Sequence, residues 1–119
     1  MTMSTSCATC VRSLFDLRAL RTAFGDEELA LVGIPVDSGD SAQALREYAE
    51  EKRPAYALQI GLSQETVASV RDVIASTLHA GGSTTPASII TDSSGLILTA
   101  RWGVPTLSEL RKLRATKDE

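Results

Sequence analysis

The sequence predicts an α/β domain in which a mixed central sheet carries helices on both faces. Three observations predict it. Segments with apolar residues at helical spacing alternate with short apolar runs. One of those runs, Leu29–Val36, is almost unbroken, as in a parallel strand buried on both faces. Near the C-terminus two β-rich segments flank a glycine-bearing turn, the pattern of an antiparallel hairpin.

The first helix is expected over 11–24, where Val11, Leu14, Phe15, Leu17, Leu20 and Phe24 recur at helical spacing before Gly25 stops it. The Leu29–Val36 strand follows, with Pro35 near its end because proline donates nothing to a ladder. Asp40, with Gln43 three residues on, is expected to cap a second helix whose stripe is Ala44, Leu45, Tyr48 and Ala49 and which Pro54 closes. Ala55–Ile60 reads as a short strand. Ser63 then caps a third helix that buries Val67, Val70, Ile74 and Leu78, and Gly81–Thr85 is a loop. Pro86–Thr91 and Leu96–Trp102 form the hairpin around Asp92-Ser93-Ser94-Gly95. Gly103 and Pro105 end it, and Thr106 with Glu109 makes a capping box for a last helix burying Leu107, Leu110 and Leu113.

The order is helix, strand, helix, strand, helix, strand, strand, helix. A single domain spans 1–119, with residues 1–6 expected as a short disordered start. The 43% hydrophobic and 23% charged content suits one soluble core. Twelve Lys+Arg against fifteen Asp+Glu give a net charge of -3, so no basic surface is offered to nucleic acid. No apolar run approaches the roughly 20 residues of a bilayer span, so no membrane segment is expected. Met1–Ser6 has neither the basic nor the apolar region of a secretory signal, and the sequence as written reads as cytoplasmic.

The chemistry-bearing residues are Cys7 and Cys10, too close in sequence to staple distant parts of a fold. They stand at the start of the first helix, where unsatisfied N–H groups and the helix dipole favour a thiolate at Cys7. One helical turn separates them, so Cys7 can attack a disulfide and Cys10 can resolve the mixed disulfide. A closed zinc site takes about four ligands, and no second cysteine pair exists. Trp102 with Arg101 beside it could form part of a binding surface, but Trp at a strand end is more often a partly buried packing residue, and Asp37 and Asp40 read as turn and cap residues.

With Cys7-Ala8-Thr9-Cys10 opening a helix and Thr85-Pro86 opening the hairpin, the chain resembles the thioredoxin superfamily, in particular the TlpA-like and redoxin-type thiol-disulfide oxidoreductases of bacteria. Pro86 through Leu98 resembles the family's succession of cis-proline, strand, Asp-x-x-Gly turn and strand. Val32 through Asp37 resembles its second strand. The resemblance runs from Cys7 to Leu113 and implies a thioredoxin-like fold, Cys7 as nucleophile and Cys10 as resolving thiol. It also implies a cis Thr85–Pro86 bond whose strand edge docks a protein substrate or a small thiol or disulfide, and no cofactor.

Ser6 stands where many members carry Trp, and Ala8-Thr9 contains neither Pro nor Gly. The family also has a strand directly before the cysteine pair, for which Met1–Ser6 is too short. The expectation is therefore a chain truncated at its front, with an open slot between the Leu29 and Ala87 strands that leaves either a poorly stable monomer or a homodimer filling the slot with a partner's segment. Such proteins commonly work outside the bacterial cytoplasm, so an upstream segment would carry an export signal.

The stretch Val36–Asp37 through Ala49 is similar to Sco-type copper proteins, which bind copper with two cysteines separated by three residues and a distant histidine. A copper carrier using Cys7, Cys10 and His79 is thus an alternative, but here the cysteine separation is two and His79 ends a helix, where it suits the dipole. No metal ligand is assigned. A redox-inactive interaction module is the third reading.

Overall fold

The computed structural model describes residues 1–78 and 85–118, with side chains as far as residue 115. Its elements are β1 (Thr2–Met3), α1 (Ala8–Ala23), β2 (Val32–Pro35), α2 (Ala42–Lys52), β3 (Ala57–Leu58), α3 (Gln64–Leu78), β4 (Ala87–Thr91), β5 (Ile97–Trp102) and α4 (Leu107–Asp118). Local side-chain chemistry sets most of their ends. Ser63 Oγ accepts from the Thr66 N–H at 3.1 Å. The Thr106 hydroxyl accepts from the Glu109 N–H at 3.1 Å while Glu109 reaches back to the Thr106 N–H at 3.5 Å, so the capping box closes. Between β4 and β5, Asp92 Oδ1 accepts from the Ser94 and Leu96 N–H groups, and Gly95 supplies the positive φ of +93°. Helix α2 departs from expectation. Ser41, not Asp40, caps it, accepting from the Ala44 N–H at 3.1 Å.

Strands β1, β2 and β3 run parallel with β2 between the other two. On one side its Ile34 N–H, and that of Val36 just past the strand's end, donate to the Met1 and Met3 carbonyls. On the other, its Gly33 carbonyl accepts from the Gln59 N–H at 2.9 Å. Both ladder edges of β2 are therefore occupied, but its faces are not both buried as expected: Gly33 and Pro35 are buried, Ile34 is half-buried and Val32 is 39% exposed. Pro35 is its last residue, paired with Met3. Strands β4 and β5 form the antiparallel hairpin, irregular at Ile90/Thr91.

Residues at the very start correct two expectations. Thr2, Met3 and Ser4 are buried rather than disordered, and β1 occupies the slot expected to stand open. Two residues suffice because Met1 and Met3 offer carbonyls to β2 while the Thr2 side chain bonds Ala87, the first residue of β4.

The core gathers around β1. Met3 belongs to one buried cluster with Cys10, Leu14, Leu17, Leu20 and Phe24 of the α1 region, Leu45 and Tyr48 of α2, and Tyr56 and Leu110. Fully burying such side chains contributes about 2 kcal/mol each before entropy is counted. Phe15, included in the predicted stripe, instead points to solvent at 79% exposure. Helix α3 buries only Ile74 of its four expected residues; Val67 lines a cleft of about 670 Å³ between the β2–α2 loop and α3, together with Asp37, Asp40, Leu45, Leu62 and Arg71.

One glycine is required by packing. A Cβ on Gly33 would come within 2.4 Å of the Tyr56 ring. The aromatic face thus lies directly against the β2 backbone, and burial, with Tyr48 alongside, pushes the Tyr56 phenol above its ordinary range.

Candidate active site

Cys7 is the N-cap of α1, in extended conformation (φ -84°, ψ 105°), and its Sγ accepts from the Cys10 N–H at 3.0 Å. The geometry is that of a Ser or Asp cap with sulfur in place of oxygen. No acidic side chain occupies the first turn of α1, so no local carboxylate there opposes negative charge on the cap. Cys7 and Cys10 are joined as a disulfide with their Cα atoms 5.2 Å apart. Their environments differ. Cys7 is half-buried at the helix end, whereas Cys10 is 1% exposed beneath it, in the core with Leu14 and Met3.

Thr85 and Pro86 lie at the entrance to β4, both half-buried, and the bond between them is cis. The Pro86 carbonyl accepts from the Gly103 N–H at 2.8 Å, fixing this entrance to the end of β5. Ala87 bonds the side chain of Thr2, and β1 leads through Ser4, Thr5 and Ser6 into Cys7. The two predicted parts of the site are thereby joined through β1.

Sequence reading missed the anchoring of the loop before Cys7. The Thr5 N–H donates to Asp40 Oδ2 at 2.9 Å, and the Thr5 hydroxyl donates to Asp40 Oδ1. This use of both carboxylate oxygens is why Asp40 does not cap α2. Asp40 is legible in the sequence as a polar residue after a strand, but nothing local names a partner 35 positions away. Within the loop, the Cys7 N–H donates to the Ser4 carbonyl at 3.3 Å.

Arg101 pairs with Glu109, tying β5 to α4, whereas Trp102, expected as a partly buried packing residue, is exposed at 42% at the end of β5. His79, the histidine of the copper alternative, lies outside the described residues. Among the described residues no group of three or more His, Cys, Asp or Glu side chains could hold a metal ion, and no helix is long and apolar enough to cross a membrane.

No family model matches the chain. No curated protein matches it either. Among solved structures it is similar to a thio-disulfide isomerase from Thermus thermophilus, with a TM-score of 0.68 over 97% of this chain and 74% of that one, at 13% sequence identity. Such agreement of backbones at so low an identity, with the cysteine pair at the start of α1, establishes that this chain has the thioredoxin-like fold.

Proposed function

We propose that the protein is a thiol-disulfide oxidoreductase working through the Cys7/Cys10 pair. The observation that carries the reading is the asymmetry of the two sulfurs: Cys7 sits at the N-cap with an N–H directed at its sulfur, and Cys10 lies buried one turn below within bonding distance. In the reduced protein the Cys7 thiolate attacks one sulfur of a substrate disulfide, forming a Cys7–substrate disulfide and releasing the other sulfur as a thiolate. Cys10, losing its proton, then attacks Cys7 and releases the second substrate thiolate. Two electrons pass from the dithiol to the substrate, and Cys7–Cys10 is left as a disulfide. Run backwards, the same steps oxidise a substrate dithiol.

The substrate is a protein or a small disulfide, and the Thr85–Pro86 edge docks it by backbone hydrogen bonds. The thioredoxin-like fold supports this placement, since the start of β4 is tied through Thr2 to the strand leading into Cys7. The chemistry requires no cofactor.

The test is reduction of insulin disulfides by the 119-residue chain with dithiothreitol as electron source. The parent should turn over, Cys7→Ser should not, and Cys10→Ser should accumulate a mixed disulfide with substrate. Absence of turnover in a folded, fully reduced parent overturns the proposal in favour of a redox-inactive module.

A further inference from the structure

We infer that Asp40 is the positioning residue of the dithiol: by gripping Thr5 it fixes the Ser4–Ser6 loop so that Cys7 stands at the α1 N-cap with its sulfur against the Cys10 N–H. The inference rests on the reading of Cys7 as the attacking thiol.

The loop is three residues long and must turn the chain from β1 into α1. Its internal bonds are long: Cys7 N–H to the Ser4 carbonyl at 3.3 Å, and Ser4 Oγ to Ser6 Oγ at 3.3 Å. The Asp40 carboxylate instead takes two donors of one residue at once. Hydrogen bonds to an ionised carboxylate are roughly twice as strong as neutral ones. Asp40 is itself held, since its N–H donates to the Asp37 carbonyl at 3.1 Å and the next residue, Ser41, is the cap of α2. The clamp therefore refers the position of Cys7 to the start of a second helix as well as to its own short loop.

Asp40 acts on Cys7 in two opposite senses. As a clamp it preserves the Cys10 N–H···Sγ contact, which favours the thiolate. As a negative charge it disfavours a second one nearby. The other charged groups tied to this region are Asp37, on the same loop as Asp40, and Arg12 on α1, whose guanidinium donates to Thr9. The opposite signs make the clamp separable from the charge by experiment.

The experiment measures the alkylation rate of Cys7 against pH in the full chain carrying Cys10→Ser, so that one thiol reacts. Thr5→Val removes the hydroxyl donor and leaves Asp40 charged; Asp40→Ala removes clamp and charge; Thr5→Ser keeps both donors. If Asp40 positions Cys7, the midpoint rises by about half a unit or more toward the ~8.5 of a free thiol in Thr5→Val, Thr5→Ser retains the parent value, and in Asp40→Ala the loss of the charge offsets part of the rise that loss of the clamp produces. Should Asp40→Ala fail to fold by circular dichroism, Thr5→Val decides alone. An unchanged or lowered midpoint in Thr5→Val overturns the inference, and a fall in Asp40→Ala alongside it marks Asp40 as a charge only. A parent midpoint already at the free-thiol value overturns it as well. A parent inactive toward insulin but with the expected pattern of midpoints overturns the proposed function and leaves the clamp standing.

Discussion

The buried hydroxyl of Thr2 is bracketed by Ala87: the Ala87 N–H donates to Thr2 Oγ1 at 3.0 Å, and the Thr2 hydroxyl lies 3.3 Å from the Ala87 carbonyl as its donor. Between the three-stranded parallel sheet and the two-stranded hairpin a side chain thus does what a backbone ladder does within each. Thr2 and Ala87 are 2% and 0% exposed, so neither backbone group of Ala87 has access to water if the hydroxyl is removed.

Thr2→Val should therefore destabilise the protein by about 2–4 kcal/mol, since it keeps shape but leaves buried polar groups unpaired. Thr2→Ser, which keeps the hydroxyl, should cost clearly less. Urea unfolding of the three proteins measures this, and equal midpoints would show that the contact contributes nothing.

Gly33→Ala should cost about 1–3 kcal/mol, because the new methyl group meets the Tyr56 ring at 2.4 Å and one of the two must move. Tyr56→Leu placed in the same chain should recover part of that loss. A double-mutant cycle in thermal unfolding checks the coupling; strictly additive losses would deny that the two residues meet.

In the reduced protein Cys7 should titrate below ~8.5, the value of a free thiol, and Cys10 should react far more slowly with bulky alkylating reagents. The first follows from the N-cap position and the second from the 1% exposure of Cys10. Mass mapping after brief alkylation should find the label on Cys7 first. Equal labelling would count against the roles assigned to the pair.

With a free α-amino group, the chain should lose stability as pH falls from about 8 toward 6. Burial lowers the Met1 ammonium from 8.0 to about 6, so over that window the unfolded chain holds a proton that the folded chain resists. The penalty is absent above the unfolded value and complete below the folded one. The group donates to the Val32 carbonyl at 2.7 Å, within the β1–β2 pairing. Acetylating the amine should flatten this part of the stability profile, as measured by melting temperature against pH.

How far the sequence carried the description depends on the range of the interaction in question. Helix periodicity, the Thr106–Glu109 box, the Gly95 turn and the placement of Cys7 at a helix start are written within a few consecutive residues, where spacing and side-chain chemistry suffice to find them. Asp40 shows the boundary of that logic. Locally it is as good a cap as Ser41, and only its distant partner Thr5 removes it from that role.

By itself the sequence determined the order and class of the elements from α1 onward and the pairing of two cysteines one helical turn apart. Tertiary structure alone decided that Met1–Ser6 supplies a strand, that Thr2 closes onto Ala87, that Gly33 lies under Tyr56 and that Asp40 holds Thr5. The physical reason is common to all four. A two-residue strand has no period to read, and a hydrogen bond or ring contact between residues remote in the chain leaves no local pattern, so each exists only once the rest of the fold has brought its partner into place.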